Sequence, residues 1–348
     1  MRAAATEVWQ RIGSRRGLPA SLLWPLAAVY GACVAIRAAL YRRGVLPTVR
    51  LPVPVIVVGN LVAGGSGKTP TTIAIVELLR GAGHRPGIVS RGYGGHATGV
   101  LEVEEHTAPA LSGDEPLLLR RRTHAPVLVG RDRVAAAQAL LARHPDVDVI
   151  LSDDGLQHRR LGRDVQVLVF DERGAGNGWT LPAGLLREPL PPRIGTRDLV
   201  LYNASRETTS LPGHVIGRRL AGLVELAAWW RGEAPTLASI MALRGRLIPA
   251  AAGIARPERF FTALREAGLA IDPLPLEDHA SFTPLPWPAG TREVVVTEKD
   301  AVKLDATRTA PTTVWVAALD FELPAAFEAD LLRLLAGTAA HRHAHTPD

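Results

Sequence analysis

From residue 53 onward the chain alternates short runs of β-branched and aliphatic residues with stretches of helical spacing. The runs predict strands at 53–58, 87–90, 127–129, 147–151, 166–170 and 199–201. Between them the periodicity predicts helices at 71–80, 115–122 and 132–143, with an irregular glycine-rich piece before residue 113. Near-continuous apolar strands separated by helices belong to a mostly parallel sheet with helices on both faces. The chain becomes loop-like over 174–192 and polar around 202–212, and a second, smaller α/β unit is expected to follow. Its strands are predicted at 214–218, 224–227, 293–297 and 313–317, and its helices at 257–267 and 300–304. A last helix, 324–335, has its proline in the first turn, where a missing N–H costs little.

The strand at 53–58 runs straight into GNLVAGGSGKTP, residues 59–70. The phosphate-loop pattern G-x-x-x-x-G-K-[ST] asks for glycine at position 62, where Val62 stands. Gly64 and Gly65 supply a glycine turn two and three positions later. A strand, a glycine-dense turn and a helix opening at Lys68 make an anion site, because backbone N–H groups and the helix N-terminus converge on it. Gly64, Gly65, Ser66, Gly67, Lys68 and Thr69 are therefore the expected phosphate-binding residues. Lys68 is expected to reach the β- and γ-phosphates, and the Thr69 hydroxyl to ligate Mg²⁺. A second acidic strand, DVDVILSDDGLQH (146–158), ends in Asp153-Asp154-Gly155. Alone this could be a turn or a helix cap; downstream of the loop strand it is where carboxylates hold Mg²⁺.

Composition is that of a folded protein: 348 residues, 47% hydrophobic and 21% charged, enough chain for two domains. The net charge of +6 is unevenly placed. Residues 1–50 hold eight arginines and one acidic residue, and the remainder is close to neutral. A nucleic-acid enzyme would carry its basic stripe on the catalytic body, so no nucleic-acid partner is expected. The arginines flank an apolar stretch, 18–36, that carries Trp24 and Tyr30. Three readings stand: a helix in or on an anionic membrane, a helix packed on the protein's own body, or a signal peptide. Pro25 and Ser21 count against a clean span of ~20 residues. Cys33, the one cysteine, gives no disulfide framework. A cytoplasmic body touching a membrane fits best. The expected division is a membrane-associating segment at 1–50, a P-loop core at 51–205 and a second domain at 206–335. The last helix of that domain is free to pack back on the core, and a flexible tail is expected at 336–348.

SRGYGG (90–95), SGDEP (112–116), DDGLQH (153–158), LPAGLLREP (181–189), DHASF (278–282) and VVTEKDAVK (295–303) follow the loop in that order. From about residue 18 to 335 the chain closely resembles the tetraacyldisaccharide 4'-kinase family of lipid A biosynthesis. The resemblance implies a P-loop NTPase-like α/β fold. It also implies transfer of phosphate from MgATP to the 4'-hydroxyl of a tetraacylated glucosamine disaccharide 1-phosphate, giving lipid IVA. The site would face the cytoplasm at the inner leaflet, with the protein peripheral or monotopic. By residue type Asp114 is a helix cap; the resemblance makes it the base, paired across a closing domain cleft with His279. The remaining roles follow the resemblance too. Asp278 would orient the imidazole, Arg91 and Tyr93 would hold the sugar or its 1-phosphate, Glu188 would add to the metal environment, and His158 would stand behind it. Thr297–Asp300 has an accidental likeness to the guanine-reading TKxD of GTPases. The competing expectations are a GTPase or metallochaperone-type switch, told apart by nucleotide use that ignores a lipid acceptor, and a soluble sugar or nucleoside kinase, told apart by membrane association.

Overall fold

The computed structural model describes residues 2–343. Helices α1 (Arg2–Ser14) and α2 (Leu18–Arg42) precede the first sheet. That sheet takes up β1 (Val55–Gly59), α3 (Lys68–Gly81), β2 (Pro86–Ser90), β3 (Leu101–Glu102), α4 (Pro109–Ser112) and α5 (Asp114–Thr123). It continues through β4 (Val127–Val129), α6 (Arg133–Arg143), β5 (Val149–Asp153), β6 (Val165–Asp171), β7 (Asp198–Asn203) and β8 (His214–Val215). The strand order is β3-β4-β2-β5-β1-β6-β7-β8. Every pairing is parallel except β3 with β4. β1, β2, β4 and β5 are buried along their whole length, which is why their sequence is apolar without alternation.

The chain then forms β9 (Gly217–Glu225), α7 (Leu226–Trp230), α8 (Leu237–Leu243), β10 (Leu247–Ala252), α9 (Pro257–Glu266) and β11 (Ala270–Pro275). β12 (Glu293–Thr297), α10 (Glu298–Ala301), α11 (Ala306–Thr309), β13 (Thr313–Glu322) and α12 (Ala325–His343) complete it. The second sheet has the order β11-β10-β12-β13-β9, with only β13–β9 antiparallel. The fold is thus mixed and mostly parallel, with an N-terminal apolar helix, as the hydrophobic pattern predicts. Four expectations are corrected. The run at 214–218 splits between β8 on the first sheet and β9 on the second, and the strand expected at 224–227 ends at Glu225, where helix α7 takes over. Sequence reading missed β10 and β11, whose LIPAAA and AIDPLP carry small residues and prolines in place of β-branched ones. The expected tail at 336–348 continues α12 as far as His343, and 344–348 lie outside the described residues.

The last helix packs on β6 of the first sheet, burying Phe327, Leu331 and Leu335 in a core shared with Val165, Val167 and Val169. Helix α2 continues through Pro25. It buries a narrow stripe, Ala20, Ala27 and Ala38, and is fixed to the loop at 174–192: Thr180 Oγ1 donates to Ala27 O and Tyr30 Oη to Arg187 O. Leu18, Leu22, Trp24, Leu26, Val29 and Ile36 remain exposed. By length and composition this helix could cross a membrane.

Candidate active site

The loop between β1 and α3 lies at the carboxyl edge of the first sheet, beside β5 on one flank and β6 on the other. Gly64 and Gly67 have φ of 96° and 92°, left-handed values that side chains disfavour. Val62 is buried in an antiparallel bridge with Leu186; Ala63 N donates to Leu185 O, and Arg187 N to Leu61 O. The first part of the loop is therefore pinned as a short strand pair, and the glycine turn begins only after it. Two residues at the ends of neighbouring strands brace the turn. Arg173, just after β6, donates to Ala63 O and Gly65 O at 3.0 and 3.1 Å, and Asn203, closing β7, donates to Ser66 O at 2.9 Å. Ser66 Oγ and Asn203 Oδ1 are buried with no hydrogen-bond partner among the described residues, as groups left for a ligand would be.

Lys68 is 3.6 Å from Asp154, which Arg187 also reaches at 3.3 Å. Burial works against the Asp154 charge, but Lys68 and Arg187 hold its carboxyl below the usual range. Asp153, paired in register with Val58 of β1, accepts from Thr72 Oγ1 at 3.0 Å. Burial, then the charges of Glu115 and Asp154, push its carboxyl up to about 7. Such crowded carboxylate is what a dication would relieve. The donors here, a buried Thr69 hydroxyl and carboxylate oxygens, are hard oxygens that suit Mg²⁺. Glu188, expected near the metal, is instead buried against Arg159. His158 lies 3.9 Å from Asp132, the N-cap of α6, and burial with the charge of nearby Arg133 lowers its pKa. Burial and neighbouring Arg91 bring the Arg133 guanidinium down to about 10. Sequence reading did not pick out Arg133, Arg173, Arg187 or Asn203. Three of them sit at or just past strand ends or in the LREP motif, and the carboxyl ends of parallel strands are the signal that could have found them.

Asp114 is the first residue of α5, and its carboxylate lies 3.1 Å from His279 Nδ1. The two residues are in hydrogen-bond contact as the chain stands, across the two sheets. Asp114 is buried, which would raise its pKa, but the His279 hydrogen bond and the charges of Lys303 and Lys299 hold it below the usual carboxylate range. His279 is held in the left-handed region, φ 64°, with its N–H donating to Gly253 O. Strain of this kind in a β-carbon-bearing residue collects at functional sites. Asp278 is 3.8 Å from His279 Nε2 but hydrogen-bonds Lys299 at 3.1 Å. Tyr93 packs its ring 5.4 Å from that of His279, and with Arg91 it lines a cleft of about 260 Å³. Thr297 and Asp300 cap each other, and Asp300 also binds Gly253 N and Lys303. These contacts commit both to holding the turn under His279.

A family model described as Tetraacyldisaccharide-1-P 4'-kinase matches residues 19–336. A tetraacyldisaccharide 4'-kinase of Leptothrix cholodnii is 57% identical over 317 residues, 90% of this chain and 91% of its own. One of Methylibium petroleiphilum is 54% identical over 98% of this chain and 96% of its own. Among solved structures, LpxK from Aquifex aeolicus in complex with ATP superposes with a TM-score of 0.74 at 27% identity, over 91% of this chain and all of that one. With relatives this similar along nearly its whole length, the chain belongs to the tetraacyldisaccharide-1-P 4'-kinase family and is a kinase.

Proposed function

We propose that the protein transfers the γ-phosphoryl group of ATP to the 4'-hydroxyl of a tetraacylated glucosamine disaccharide 1-phosphate at the inner surface of the cytoplasmic membrane. The observation that carries this is the Asp114–His279 contact, in which a buried carboxylate, held below the usual range by its neighbours, is paired with an imidazole from the second unit. A sugar hydroxyl is a weak nucleophile, and catalysis of its phosphorylation is mostly positioning and electrostatics.

The loop from Gly64 to Thr69 offers its N–H groups to the phosphates, and Lys68 exchanges Asp154 for the β- and γ-oxygens. Thr69, Asp153 and Asp154 are the residues that would hold Mg²⁺. Bound there, the ion would neutralise charge building on the transferring group. The hydroxyl oxygen bonds to the γ-phosphorus, the bond from that phosphorus to the β–γ bridging oxygen breaks, and ADP leaves. Asp114 takes the hydroxyl proton. Arg91 and Tyr93, in the cleft next to His279, hold the sugar or its 1-phosphate, a guanidinium being suited to phosphate oxygens. The exposed apolar face of α2, with arginines at both ends, enters the membrane surface from which the acyl substrate is drawn.

The test is phosphotransfer with γ-labelled ATP. Label on the 4'-oxygen of the lipid, matched by ADP release that depends on the lipid, is the expected result. ADP release unchanged by adding the disaccharide would refute the kinase reading and leave a nucleotide switch.

A further inference from the structure

Among the described residues the side chain of Lys299 makes no hydrogen bond or ion pair with the phosphate loop or with Asp114 itself. It belongs to α10, directly after β12, and is largely buried. Its Nζ is 3.1 Å from Glu115 Oε1, 3.1 Å from Asp278 Oδ1 and 3.3 Å from His279 Nε2. An ammonium has three donors and no acceptor, so three such neighbours use it fully only if each accepts. Nε2 accepts only when it carries no proton, which puts the ring proton on Nδ1. There it meets Asp114 Oδ2 at 3.1 Å, as a donor facing a carboxylate. The other tautomer sets Nε2–H against an ammonium. Its nearest carboxylate, Asp278, would be 3.8 Å away, beyond hydrogen-bond reach. It would also leave a lone pair on Nδ1 facing Asp114. A doubly protonated ring has the same clash at Nε2.

We infer that Lys299 is a positioning residue for phosphoryl transfer, locking His279 as the neutral Nδ1–H tautomer so that the ring donates to Asp114 and does not take its proton. The inference rests on the role of Asp114 as base proposed above. Lys303, one turn on, supports the same state. Its Nζ donates to Asp300 and to Ala280 O and lies 3.6 Å from Asp114 Oδ2. Among the described residues Asp114 Oδ1 makes no side-chain hydrogen bond, and it is the oxygen left for the acceptor hydroxyl.

The experiment is long-range proton–nitrogen correlation NMR on protein labelled with ¹⁵N-histidine, the His279 signals being assigned by their loss in His279→Gln. Wild type is expected to show the Nδ1–H pattern. Lys299→Met should move it to Nε2–H or to a mixture, and should lower kcat at least about tenfold while KM for ATP stays within about twofold. An Nε2–H pattern in wild type overturns the inference without any variant, should Lys299→Met fold poorly. A Lys299→Met protein with an unchanged pattern and unchanged kcat overturns it as well. A wild-type rate in Asp114→Asn would remove the base yet leave the tautomer measurable, so the two readings fail separately.

Discussion

Val62 stands where a phosphate loop usually has glycine because that position is paired with Leu186, and a buried aliphatic side chain serves a strand bridge better than glycine. The glycine that cannot be spared is Gly67. A β-carbon there would stand 2.3 Å from Asn203 Nδ2, at a φ of 92°. Forcing an L residue into that conformation costs about 1–2 kcal/mol, before Asn203 is displaced from Ser66. Gly67→Ala should therefore weaken ATP binding by at least about tenfold, about 1.4 kcal/mol. Titration calorimetry giving an affinity within twofold of wild type would contradict this. At this scale the sequence shows most of the candidate site, since Lys68, Thr69, Asp153 and Asp154 lie in short local motifs. Asp114 and His279 became readable only through a family resemblance, because the carboxylate alone looks like a helix cap. Arg173, Asn203 and Lys299 were not legible. The groups they brace lie far along the chain, and for Arg173 and Asn203 the only sequence signal was their place at the carboxyl ends of parallel strands.

Helices and strands were legible in proportion to how fully one environment surrounds them. β4 and β12 are read to the residue because apolar runs bounded by polar turns have only one interpretation. α7 was misread because LAAWW is too short to show a period. Helix α2 shows the same limit differently: its composition is that of a membrane segment, yet its alanine stripe is bound to the loop carrying Arg187. Cutting the helix away would disturb both functions, so point substitutions separate them better. Replacing Leu22, Trp24, Leu26 and Val29 by serine should abolish sedimentation with anionic vesicles, each buried side chain being worth about 1.5–3 kcal/mol. These residues are solvent-facing in the fold, so the melting temperature and the turnover of detergent-dispersed substrate should stay near wild type. Undiminished sedimentation would show that the membrane is held elsewhere.

Across the whole molecule, the two sheets are joined at α5. Its first residue meets His279 of the second unit. Its last turn sends Arg121 over the rings of Trp229 and Trp230, and Arg122 to Glu298 and Asp320 at 2.5 and 2.6 Å. On the opposite flank Arg218, Arg256 and Arg259 converge on Glu172, and Arg256 also reaches Asp171, the partner of loop-bracing Arg173. Hydrophobic periodicity reveals each sheet but carries no information about these charged contacts, which flank an apolar core continuous between the two sheets. Arg122→Met leaves the buried Glu298 without its cation, and denaturation should register a loss of about 3 kcal/mol. A loss below about 0.5 kcal/mol would mean that the contact is only a solvated surface pair.

The junction matters because it brings Asp114 to His279, and the proton step is where the proposed chemistry is most exposed to test. The decisive measurement is kcat for Asp114→Asn with ATP and lipid both saturating, alongside the affinity for ATP. Gly113, not Asp114, is the N-cap of α5, and asparagine is nearly the same shape as aspartate but cannot accept the proton as a carboxylate does. The predicted result is a kcat lower by about 10²–10⁴-fold with ATP affinity unchanged; a kcat close to wild type would take Asp114 out of the reaction.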